Sequence, residues 1–190
     1  MGLRARTLVI LGLTLVCLYG LTYAFSRSVL VKGFAEVEER EARVNAGRVQ
    51  QAIQNEVETV SIKMGDWSAW DDTYQYVQDG NKAFEISNLT VESLITLKLN
   101  FMMLLNRNNK LVGGFYLDFD DEKIKPLPAE VSSMLISYPK LAQFASLDTK
   151  HDGLLVLGKN KYFVTAQPIR TSKNSGPIMG TLIAGRLVTL

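Results

Sequence analysis

No charged residue occurs between Thr7 and Ser26, and within that span Leu8 to Phe25 is apolar apart from two threonines, two glycines and two tyrosines. About 20 such residues cross a bilayer as a helix, which is the form that satisfies every backbone group without water. The pattern therefore predicts a membrane span over 7–26, preceded by a cytoplasmic tail, 1–6. Arg4 and Arg6 precede the span, and Tyr19, Tyr23 and Phe25 gather toward its far end as an interfacial aromatic belt would. A cleaved signal peptide is the rival reading. It calls for an apolar stretch of about 7 to 15 residues and small residues at a cleavage site, whereas this run is longer and Ala24-Phe25-Ser26 fits the A-x-A pattern poorly. The expected location is the inner (cytoplasmic) membrane, with the remaining chain periplasmic or extracellular, although Arg27 and Lys32 just past the span reduce the charge asymmetry that sets orientation.

Beyond the span the apolar period becomes helical. Residues 27–64 lack proline, and Leu30, Phe34, Val37, Val44, Val49, Ile53, Val57, Val60 and Met64 follow one another mostly at steps of three, four or seven, drawing a stripe along one helix face. This predicts a stalk helix over 27–64 that pairs with a second copy, giving a homodimer. The alternative is that the second half of the stripe packs on its own domain. Gly47, Glu41 and Arg48 interrupt the heptads, so a coiled coil is not predicted.

From residue 97 onward the pattern reads as strands and turns. Leu97–Leu105 and Leu111–Phe119 flank the turn cluster Asn106-Arg107-Asn108-Asn109-Lys110, and Leu154–Leu157 and Tyr162–Ile169 flank Gly158-Lys159-Asn160-Lys161, so two hairpins are predicted. The polar loop Thr171–Gly176 leads into a last strand, Ile178–Leu187. Between the hairpins, Ala129–Ser137 and Lys140–Ser146 read as short helices divided at Pro139. The expected fold is thus α+β: a long N-terminal transmembrane and stalk helix, then a domain over 65–190 with a five-stranded antiparallel sheet. That order resembles the extracytoplasmic PAS-like (Cache-like) sensor fold, in which such a sheet cups a small ligand. Fold likeness alone does not assign function.

Composition narrows the functions. At 190 residues, with 21 Lys+Arg against 19 Asp+Glu and 47% hydrophobic residues, the chain shows neither a polybasic nucleic-acid surface nor a disordered composition. One cysteine, Cys17 inside the apolar run, excludes an intrachain disulfide and a thiolate cluster; one histidine, His151, excludes a multi-histidine metal site within the chain. No phosphate loop, dinucleotide fingerprint, zinc motif or catalytic constellation is present. The expectation is a chain that is not itself an enzyme, with no cofactor, no metal and no nucleic-acid partner.

The most distinctive stretch is Gly65-Asp66-Trp67-Ser68-Ala69-Trp70-Asp71-Asp72-Thr73-Tyr74-Gln75-Tyr76-Val77, which holds both tryptophans of the chain. Here the sequence resembles the CHASE family of extracellular sensor domains, specifically its fourth type, whose members carry a D-W-x-x-W-D-D-x-Y segment after a membrane-anchored helix. The likeness continues through Asn81, Asn88-Leu89, Leu99-Asn100 and the closing Gly180-Thr181-Leu182-Ile183-Ala184-Gly185-Arg186, about residues 30 to 190. The resemblance implies an input module of receptors whose cytoplasmic part is a histidine kinase, a diguanylate cyclase or a cyclic-di-GMP phosphodiesterase. Such receptors continue into a second membrane helix and an output domain, which would lie beyond Leu190 or in a separate protein.

Two readings of these residues remain open. On a helix Trp67, Trp70 and Tyr74 share a face, so they serve either as core anchors or as the rim of a ligand site, with Asp71 and Asp72 capping a helix or pairing with a cationic ligand. Asn100 interrupts an apolar strand and, with Tyr116 on the partner strand, is expected to face the cavity enclosed by the sheet; a buried polar side chain needs a partner, either backbone or ligand. Asp118, Asp120 and Asp121 read as a solvated turn, because the calcium-loop spacing is absent. The expected partners are the membrane, a second copy and an unidentified small molecule; the alternative is a membrane-anchored protein-interaction module with no small-molecule ligand. A cavity of about 300 Å³ or more would favour the former.

Overall fold

The computed structural model describes residues 2–188, with the side chains at 5, 31–33, 35, 36 and 136 left aside. Met1 of the expected tail and Thr189 and Leu190 of the expected sensor domain lie outside the described residues. The chain forms two compact units, one up to Ala52 and one from Ile53.

The first unit is helical, the opening part of α1 (Leu3–Ser68). Arg6–Leu30 is long and apolar enough to cross a membrane. Its threonines fit that environment: Thr14 donates its hydroxyl to the Leu11 carbonyl at 2.9 Å and Thr22 to Leu18 at 2.8 Å, so neither leaves an unpaired donor in an apolar setting. Past the span the surface turns polar, and Glu39 pairs with Arg43 one turn on at 2.6 Å.

The second unit takes up α1 from Ile53 and carries it through Gly65 to Ser68. Three short helices follow: α2 (Asp71–Asp79), α3 (Lys82–Asn88) and α4 (Val91–Leu97). Each boundary has a local cause. Gly80 ends α2 at φ 64°, the left-handed conformation that glycine adopts without cost. The Asn81 side chain caps α3 by accepting from the Ala83 N–H, and Thr90 caps α4 by accepting from Ser93. Lys98, at φ 58°, ends α4 and turns the chain into the sheet. The first strand therefore begins at Phe101, with the apolar Leu97 belonging to α4 and Leu99 to the linker.

The sheet is antiparallel throughout, in the order β3-β2-β1-β6-β5-β4, with β1 (Phe101–Asn106), β2 (Leu111–Asp118), β3 (Lys123–Lys125), β4 (His151–Leu157), β5 (Asn160–Ile169) and β6 (Gly180–Leu187). Six strands stand where the sequence predicts five. The extra one, β3, is a three-residue edge, Lys-Ile-Lys, too short and too exposed to show alternation. It pairs Leu117 with Ile124 and is fastened by the Lys125 ammonium on Asp118 at 2.6 Å and on Asp121 at 3.0 Å. Between β3 and β4, α5 (Ala129–Ser132) and α6 (Met134–Ser137) form as short helices, but the second expected helix shrinks to a single 3₁₀ turn, Pro139–Ala142.

Strand alternation sends side chains to two cores. On one face Met102, Leu104, Leu182 and Ala184 pack with Val60 and Met64 of α1 and with Val77, Leu94 and Leu99. On the other, Phe101, Met103, Leu105, Tyr162, Val164 and Ile183 pack with Val131 and Met134 of the short helices. The central strand β1 is thus buried on both faces, which explains its uninterrupted apolar run. A polar seam crosses the first interface: Gln167, buried on β5, donates Nε2 to the Ser61 carbonyl of α1 at 2.6 Å and accepts from Ser68 at 3.3 Å. This pairing satisfies an amide that would otherwise be costly to bury.

Candidate functional site

The residues singled out from the sequence separate into four places. Trp67, Trp70 and Tyr74 pack against the core between α1 and the sheet. Trp67 lies in the last turn of α1, whereas Trp70 sits in the break before α2, so they are not on one helix. Their rings still meet edge to face with centroids 5.8 Å apart, and Trp70 also contacts Phe84 at 5.8 Å. Asp71 opens α2 and binds the loop before β6: the Ser172 backbone N–H donates to Oδ1 at 2.9 Å and the Ser172 hydroxyl to Oδ2 at 2.7 Å. These two bonds, the hydroxyl first, hold the Asp71 carboxyl below its ordinary value. Asp72 is exposed and lines a shallow hollow of about 340 Å³ with Gln75, Asp79 and Asn88. Beside that hollow the Tyr76 hydroxyl donates to Glu85 at 2.7 Å; burial and this carboxylate push the phenol well up.

Asn100 and Tyr116 come together, at a larger cleft of about 550 Å³ where β1 begins and β2 and β6 end. Lys98 and Ile95 contribute from the end of α4, Asp118, Phe119 and Asp120 from the end of β2, and Arg186 and Leu187 from β6. Local chemistry fixes several of these groups. Asn100 is 7% exposed, and its Oδ1 accepts the Leu187 backbone N–H at 2.7 Å, which satisfies the backbone of β6 at its end. Arg186 donates Nη1 to Glu56 of α1 at 2.7 Å, so one side chain both lines the cleft and touches the helix. The Lys125 ammonium and then the Asp120 N–H hold the Asp118 carboxyl below its ordinary value. Behind Tyr116, burial first and the Tyr116 hydroxyl second push the Tyr162 phenol up to about 12, so the Tyr162 ring is neutral near pH 7.

Sequence reasoning passed over Lys98 as a cleft residue and met Arg186 only as part of the closing run. A signal for both existed: each is a lone cation interrupting an apolar stretch that ends at the same pole of the sheet. Only strand pairing brings them together, since Phe101 pairs with Gly185 on one side and Tyr116 on the other. Among the described residues no cluster of three or more His, Cys, Asp or Glu is arranged to hold a metal.

An apolar helix thus precedes an α+β domain with helices on both faces of an antiparallel sheet and a cleft at the pole of that sheet. Comparison with known proteins gives it a family. The chain belongs to the CHASE4 domain family, whose profile matches residues 52–189. It is 23% identical over 186 residues to the methanogenesis regulatory histidine kinase FilI of Methanothrix harundinacea (strain 6Ac), covering 98% of this chain and 21% of that protein. Its fold is similar to the crystal structure of the extracellular domain of vpHK1S-Z8, a protein described as a histidine kinase, with a TM-score of 0.50, 17% identity, and coverage of 74% of this chain and 53% of the other. The chain thus spans about a fifth of the curated relative it matches and about half of the solved one.

Proposed function

We propose that this chain is the extracytoplasmic, ligand-sensing input domain of a membrane-bound signalling receptor, anchored by the helix around Arg6–Leu30 and coupled to a histidine kinase output. A cyclic-di-GMP-metabolising output is the other arrangement that the family resemblance implies. The order β2-β1-β6-β5-β4 within the sheet supports reading the domain as PAS-like, with β3 added at one edge. The observation that carries the sensing role is the 550 Å³ cleft lined by Asn100, Tyr116 and Arg186, large enough for a small molecule and sharing Arg186 with Glu56 of α1. A ligand can shift such a device only through its differential affinity for two arrangements of the helix, on a scale of about 1–3 kcal/mol.

The test is thermal unfolding of the whole chain in lipid nanodiscs against a broad panel of small metabolites. A compound at 100 times its Kd adds about 2.7 kcal/mol to the folded state, so the expected outcome is a rise in Tm for one chemical class. A Tm unmoved by every compound would sink the sensing role. It would favour the second reading, a protein-interaction module, which draws on the other face of the sheet, where Phe101, Met103 and Tyr162 fill the space under the short helices.

A further inference from the structure

We infer that the cleft at the pole of the sheet takes a small monocarboxylate with a short apolar body; this rests on the sensing role proposed above. The argument starts from Asn100. The residue is 7% exposed, and its Oδ1 is committed as acceptor to the Leu187 N–H. That bond fixes the amide orientation, because a donor can face only the oxygen. Nδ2, the remaining end, has no hydrogen-bond partner among the described residues and belongs to the cleft wall. Among the described residues Thr73 Oγ1 is the one fully buried side-chain polar atom without a partner, so Nδ2 opens to the cleft, where an acceptor from outside the chain can reach it.

The charges around it say what kind of acceptor. Lys98 lines the same cleft and has no ion-pair partner among the described residues, and Arg186 has donors left beyond the Nη1 given to Glu56. Two cations beside a fixed amide donor match a carboxylate, which accepts from all three. The rest of the lining limits the ligand to one acidic group. Asp118 and Asp120 stand on the same rim, where a second carboxylate would meet like charge. Ile95, Phe119 and Leu187 supply apolar surface for a short chain or ring.

Hexanoate is the probe, titrated calorimetrically into the full chain in nanodiscs beside hexanol, hexylamine and adipate. The deciding variant is Asn100→Asp. It keeps an oxygen for the Leu187 N–H, so the fold is retained, but replaces the outward donor with a carboxylate oxygen. Lys98→Gln, at an exposed side chain, removes the ammonium. The expected result is that hexanoate binds, that hexanol, hexylamine and adipate bind at least about tenfold more weakly, and that each variant weakens hexanoate by at least about tenfold. Equal binding of hexanol, or hexanoate binding indifferent to Asn100→Asp, overturns the assignment. Hexylamine binding the unaltered chain more tightly than hexanoate overturns the carboxylate while leaving small-molecule sensing intact. Should hexanoate fail while another class in the metabolite panel raises Tm, this inference falls alone; should nothing bind, the sensing role falls with it.

Discussion

Two glycines of the closing strand, Gly180 and Gly185, are needed for lack of space, and the neighbours that demand them come from β1. A Cβ on Gly180 would stand 2.0 Å from the Leu105 carbonyl oxygen, a backbone atom in a central strand that cannot yield. A Cβ on Gly185 would meet the Phe101 ring at 2.3 Å, and that ring is already held edge to face against Tyr162 at 5.4 Å. Overpacking of this kind costs about 1–3 kcal/mol and occasionally more. Gly185→Ala is therefore expected to lower stability by that amount and Gly180→Ala by at least as much, whereas Gly153→Ala, with nothing within 4 Å, should be close to neutral, as chemical denaturation of the three variants will show. The closing motif was visible in the sequence as small residues at fixed places. Which ring and which carbonyl they accommodate was not, because those partners lie some eighty residues away in the chain.

At the scale of elements, the break between α1 and α2 is fastened from a distance. Asp71 opens α2, and its two oxygens hold Ser172 in the loop that leads to β6. Since those bonds favour the ionised carboxylate, its folded pKa lies below its unfolded value, and the contribution is present above the ordinary aspartate range near pH 3.9 and lost as pH falls through the lowered value. Carbon-13 NMR titration of Asp71 should give a midpoint below about 3.9 that moves upward in Ser172→Ala. Asp71→Asn should lower stability at pH 7, and by less as pH falls through the lowered value; a loss that does not change with pH would contradict the account. The helices and hairpins themselves were largely readable from period and turn residues. The edge strand β3, the split of α2 to α4 and the single 3₁₀ turn after Pro139 were not, because each is decided by a cap or an edge pairing shorter than one period of its pattern.

For the whole molecule, the proposed homodimer rests on side chains of the first unit. Phe34, Val37, Val44 and Val49 are all exposed along α1, an apolar row that favours burial against a second copy. With Cys17 replaced by serine, Val49→Cys in membranes is expected to give an oxidised dimer, and Gln50→Cys, on the opposite side of the helix, much less; equal yields, or none from either, would remove the support for stalk pairing. The sequence by itself determined the apolar span, the helical stripe beyond it, the antiparallel strand pattern and the motif of the family, because each depends on residues close together in the chain and on a period they share. Only the tertiary structure decided the site. Asn100, Lys98, Tyr116 and Arg186 are scattered over almost ninety residues, and what unites them is the register of three strands. It also decided that Trp67 and Trp70 anchor a core and that Asp71 ties a loop, since the role of a polar or aromatic side chain is set by what folding brings against it.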